Sequence, residues 1–92
     1  MKIGYARVST EDQNLDIQLR ELTSAGCTKI FQEKISGIKK QRPELTKALE
    51  HIRENDTFVV WRLDRLARST RDLLEITETI NEAKAYFLSL SE

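Results

Sequence analysis

Arg7 and Ser9 stand two residues apart at the end of an apolar run, Gly4-Tyr5-Ala6-Arg7-Val8-Ser9-Thr10. Residues two apart on a strand share a face and lie about 7 Å from each other, so the run delivers a cation beside a potential nucleophile. A second concentration of charge lies far along the chain. Arg62, Arg65, Arg68 and Arg71 are opposed locally only by Asp64, and Lys34, Lys39, Lys40 and Arg42 form another basic run. Formal net charge is zero, so any anion site is expected to be local rather than a property of the whole surface. Each pattern also has an ordinary reading: Arg7 as a solvated rim charge with Ser9 in a turn, and the arginines three apart as the wet face of a helix start.

Holding such groups together takes rigid elements, and the chain supplies strands and helices in alternation. Lys2 to Val8 reads as a strand with apolar residues on both faces. Thr10-Glu11-Asp12-Gln13 has the form of a capping box, and Leu15, Leu19, Leu22 and Ala25 then recur at helical spacing up to Gly26, which predicts a helix over 11–25. Asp16 and Arg20 are spaced for an ion pair along it. Thr28 to Gln32 is a short second strand, and 34–41, with Ser36-Gly37 inside, has no period and reads as a loop. Pro43 suits a first helical turn, followed by Leu45, Ala48, Leu49 and Ile52 on one face until Asn55-Asp56. Residues 57–61 are β-branched and aromatic, with Trp61 expected in the core. Ser69-Thr70-Arg71-Asp72 is a second capping box opening a helix to about Lys84, and Tyr86 to Leu90 is a last strand.

Four short strands separated by three helices predict a three-layer α/β domain: a mainly parallel four-stranded sheet of order 2-1-3-4, flanked by helices. Such a sheet opens its crevice at the carboxyl ends of the strands, where the strand order reverses. Ser9 follows the first strand and Asp64-Arg65 the third, so two segments distant in sequence are expected at one place.

Tyr5-Ala6-Arg7-Val8-Ser9-Thr10, the run Asp12-Gln13-Asn14-Leu15-Asp16-Ile17-Gln18, Ser36-Gly37, Arg42-Pro43, and Val60-Trp61-Arg62-Leu63-Asp64-Arg65-Leu66-Ala67-Arg68-Ser69 together resemble the catalytic domain of the serine recombinases, the resolvase and invertase family. The resemblance implies that Ser9 attacks a DNA phosphodiester, becomes linked to the 5′ phosphate and frees a 3′ hydroxyl, after which strands are exchanged and the reaction is reversed. It implies a phosphate cradle of Arg7, Arg65 and Arg68, joined by Arg42 from the start of the second helix. Gln13 and Gln18 are implied to orient the serine or the phosphate. Asp64 is the candidate for moving a proton, since a guanidinium is a poor acid or base near neutral pH; the group that takes the serine proton is left open. Arg62 and Arg71 are phosphate or rim contacts. His51 stands where the family usually has a lysine or arginine.

Ninety-two residues make one small domain, and 39% hydrophobic with 33% charged residues is ordinary for a globular chain. The single Cys27 cannot form an internal disulfide, and no apolar run is long enough to span a membrane, so a cytoplasmic location is expected. No metal or other cofactor is expected. The resemblance covers residues 1–92 as a catalytic domain cut short at its C-terminal end, without the oligomerisation helix or DNA-binding domain of the family. It implies double-stranded DNA as partner, a homodimer and a synaptic homotetramer for the full-length protein, and weak DNA binding without recombination for this piece alone. Two other readings compete: a non-catalytic domain that uses the arginines to bind phosphate or DNA and regulate assembly, and a metal-dependent nuclease or phosphatase on a similar sheet.

Overall fold

The computed structural model describes residues 1–8, 15–34, 42–63, 66–67 and 69–91. Strands and helices alternate as the periodicities predict: β1 (Lys2–Val8), α1 (Leu15–Ser24), β2 (Lys29–Lys34), α2 (Pro43–His51), β3 (Thr57–Val60), α3 (Thr70–Glu82) and β4 (Tyr86–Ser89). The sheet is parallel throughout, in the order β2-β1-β3-β4. In register, Tyr5 of β1 lies opposite Phe31 of β2 on one side and Val60 of β3 on the other.

The reversal of strand order decides where the helices go. Right-handed crossovers that step outward from β1 to β2, and then back across β1 to β3 and β4, must place α1 on one face and α2 with α3 on the other. The two cores follow suit. Ala6, Leu22 and Val59 are buried on the α1 side with Leu15, Leu19 and Ile30 packed against them. Ile3, Tyr5, Phe31, Leu45, Ala48, Phe58, Val60, Leu66, Ile76 and Ile80 form the larger core on the other face. Alternation along β1 thus puts Ile3 and Tyr5, and Arg7 after them, on the α2–α3 side.

Local chemistry sets the ends of the elements. Gly26 (φ 99°) closes α1 as a Schellman turn, with Cys27 N–H on the Leu22 carbonyl at 3.1 Å and Gly26 N–H on that of Thr23 at 3.0 Å. α3 closes in the same way at Lys84 (φ 61°): Ala85 N–H donates to the Ile80 carbonyl and Lys84 N–H to that of Asn81. That reversal explains why α3 ends at Glu82 instead of running on to Lys84. β2 extends to Lys34, two residues past the expected Gln32, because Glu33 and Lys34 stay in register with Arg7 and Val8. Ser69 caps α3 as its capping box predicts, accepting from Asp72 N–H at 3.1 Å. The Thr10–Gln13 box and the Ser36-Gly37 turn lie outside the described residues. Asp16 and Arg20 are both exposed with no ion pair between them, and Trp61 is half-buried instead of a core residue.

Candidate active site

Of the side chains singled out for chemistry, Arg7, Gln18 and Arg42 fall among the described residues; Ser9, Gln13, Asp64, Arg65 and Arg68 lie outside them. The described three border the carboxyl end of β1, at the place where the strand order reverses.

Gln18 comes from α1 and is fully buried. Its amide accepts from the Arg7 backbone N–H (3.2 Å) and donates to the Arg7 carbonyl (3.0 Å). β3 is paired with β1 only as far as Tyr5, so beyond that residue the amide satisfies the backbone that a neighbouring strand would otherwise take up. The result is a strand end held from the helix layer two residues before Ser9. A buried side chain committed twice to backbone acts on the site through the strand.

On the opposite face, Glu33 was missed by sequence reasoning and organises a buried polar cluster. Its carboxylate, 7% exposed, accepts the Tyr5 hydroxyl at 2.6 Å and the backbone N–H groups of Glu44 (3.0 Å) and Leu45 (3.3 Å). These amides belong to the first turn of α2, whose N-cap residue Arg42 supplies no side-chain cap. Pro43 has no N–H to satisfy, and Thr46 N–H already bonds the Arg42 carbonyl, so Glu33 completes the hydrogen bonding of that helix end from another element. Negative charge at a helix N-terminus is also favoured by the helix dipole. Burial pushes the Tyr5 phenol far above its ordinary range, the hydrogen bond to Glu33 and its charge add to the rise, and Arg42 and Arg7 oppose it. Tyr5 is therefore a permanent donor. The signal was in the sequence: Glu33 is two residues after Phe31 and so on the same buried face, but a strand ended at Gln32 leaves it in a loop.

Arg42, 9% exposed, reaches away from its own helix. One guanidinium nitrogen donates to the Leu66 carbonyl and the other lies 2.6 Å from Asp72 Oδ2. It thereby joins the start of α2 to the connection between β3 and α3, the stretch whose sequence carries Asp64, Arg65 and Arg68. Arg62 stacks over Trp61 at 5.6 Å, and Arg71 is 91% exposed near Glu75. His51 is exposed and tilted against Phe31, at the opposite end of α2 from Arg42.

Set beside known proteins, the chain is 53% identical over 92 residues to the transposon Tn552 resolvase of Staphylococcus aureus, covering all of this chain and 47% of that protein. It is 49% identical over 90 residues to the DNA-invertase hin of Salmonella typhimurium, covering 98% of this chain and 47% of the relative. The chain thus spans about half the length of the curated relatives it matches. Among solved structures, a serine recombinase from Sulfolobus solfataricus superposes with a TM-score of 0.76 at 27% identity, over 99% of this chain and 68% of that one. The family described as Resolvase, N terminal domain, matches residues 2–92. With the parallel 2-1-3-4 sheet, that match places the chain in the resolvase N-terminal domain family.

Proposed function

We propose that this chain is the strand-cleaving part of a site-specific DNA recombinase. The observation that carries the reading is family membership across residues 2–92, combined with a sequence in which Ser9 directly follows the last residue of β1. Ser9 Oγ attacks the phosphorus of a DNA phosphodiester, forming a 5′-phosphoserine bond as the bond to the 3′ oxygen breaks. The serine hydroxyl gives up its proton to solvent, and the 3′ oxygen leaves as a hydroxyl after gaining one, for which the protonated carboxyl of Asp64 is the proposed source. Negative charge grows on the non-bridging oxygens in the transition state, where Arg7, Arg65 and Arg68 stabilise it more than they do the ground state. Gln13 orients the serine or phosphate, and Gln18 sets the strand end.

The phosphoserine bond conserves the energy of the broken phosphodiester, so the freed 3′ hydroxyl of an exchanged strand can reverse the attack without a nucleotide cofactor. Double-stranded DNA is the substrate, and two or four copies of the full-length protein bring the strands together.

The test is a denaturation-resistant protein–DNA adduct formed by the full-length protein in EDTA. The expected result is an adduct in the wild type and none in Ser9→Ala. Binding with no adduct under any condition would favour a non-catalytic assembly domain, and cleavage abolished by EDTA a metal-dependent nuclease.

A further inference from the structure

Asp72 is not part of the Arg7, Ser9 and Asp64–Arg68 pattern, yet it fixes Arg42, the side chain that joins α2 to the connection between β3 and α3. Its backbone N–H is held by Ser69 Oγ in the first turn of α3, which makes its position rigid, and its carboxylate meets Arg42 at 2.6 Å. Arg42 simultaneously binds the carbonyl of Leu66, a residue with no solvent exposure. One guanidinium is therefore fastened to both ends of residues 66–72, and Arg68 is inside that span. The base of Arg42 is equally constrained. It is the N-cap of α2, and Glu33, itself bonded to Tyr5 of β1, holds the next helical amides. A chain of polar contacts runs from β1 through Glu33 and α2 to Arg42, and on through Asp72 to α3. The planar fork of arginine suits two acceptors at once, which a lysine could not match.

We propose that Asp72 is a positioning residue for the cleavage step: its carboxylate locks Arg42 across residues 66–72, and so sets Arg68, which lies within that segment, against the phosphate. This rests on the recombinase reading above. The pair is structural wiring in the ground state, so its loss affects the rate on bound DNA more than the binding of DNA. Misplacement of reacting groups by about 1 Å can cost on the order of 100-fold in rate.

The experiment uses the full-length protein and a duplex that the wild type recovers as a covalent adduct from fragmented DNA of its source organism. Adduct formation is followed at saturating DNA, alongside the DNA concentration for half-saturation and the thermal midpoint, for Asp72→Ala, Asp72→Asn, Asp72→Glu, Arg42→Ala and the double variant Asp72→Ala/Arg42→Ala. Asp72→Ala and Asp72→Asn are expected to slow adduct formation by about 10-fold or more with half-saturation changed less than about 2-fold, and the double variant to be no slower than Arg42→Ala alone, because the two act as one unit. Asp72→Glu, which keeps the charge, is expected to recover part of the rate. Asp72→Asn keeps size and helix position, so a slow but folded Asn variant separates positioning from loss of the fold. Rates equal to or faster than wild type in both Asp72→Ala and Asp72→Asn, or multiplicative losses in the double variant, would overturn the proposal. Absence of any Ser9-dependent adduct in the wild type would instead sink the recombinase reading.

Discussion

Gln18 shows how a side chain from one element can satisfy the backbone at the end of another. Each backbone group left buried without a partner costs about 1–3 kcal/mol, so Gln18→Leu, which strands both groups of Arg7, is expected to lower stability by about 2–4 kcal/mol in urea unfolding. The Arg7 amide should lose more hydrogen-exchange protection than those of Ile3 or Gly4. Tyr5 gives a pH signature of its own. Its proton is held more tightly in the folded than in the unfolded chain, so its contribution is complete below about pH 10, the unfolded phenol's range, and is lost as pH rises above it. Stability should fall on the alkaline side of that value, and Tyr5→Phe should flatten the fall at a cost of about 1 kcal/mol near neutrality from the lost hydrogen bond. While Ser9 lies outside the described residues, the face that Arg7 takes on β1 was legible because strand alternation is simple. Glu33 and Asp72 were not, because what marks them is a partner distant in sequence: the amides of α2 for one, Arg42 for the other.

At the scale of elements, the two Schellman ends of α1 and α3 are alike in hydrogen bonding and differ in residue. Gly26 announced its turn in the sequence; Lys84 did not, since lysine has no preference for a left-handed backbone, and α3 was accordingly expected to run two residues too long. A non-glycine residue at such φ costs roughly 1–2 kcal/mol, partly offset by glycine's freedom when unfolded, so Lys84→Gly is expected to stabilise the chain by about 0.5–1 kcal/mol. Thermal unfolding checks it. Gly4 is the reverse case. A Cβ there would stand 3.1 Å from Cys27 Sγ and 3.3 Å from both Ile30 Cγ1 and Leu22 Cδ1, where α1 and β2 close on β1. Overpacking costs typically about 1–3 kcal/mol and the entropic gain of alanine is smaller, so Gly4→Ala should destabilise by about 1 kcal/mol in the same measurement.

For the whole molecule, strand order was readable because few topologies satisfy right-handed crossovers with four parallel strands and three helices. The polar wiring that holds α2 to α3 was not, because it depends on tertiary distances that no periodicity encodes. β3 lies between the cores: Phe58 faces α2 and α3, Val59 faces α1, and both are fully buried. One strand serving both sides predicts a single cooperative transition, with far-ultraviolet dichroism and Trp61 fluorescence coincident across a urea titration. Phe58→Ala, expected to cost about 3–5 kcal/mol against a typical total of about 5–15, should bring the chain close to its unfolding threshold.

The Gln18 amide carries one consequence for α1. The outer side of α1 is open to solvent, with Ile17 42% exposed, while its inner side ends on the backbone of Arg7. The amide's two hydrogen bonds fasten α1 to the carboxyl end of β1, the strand that leads into Ser9 in the sequence. One helix thus joins a solvent-facing side to the backbone of a strand end through a single side chain.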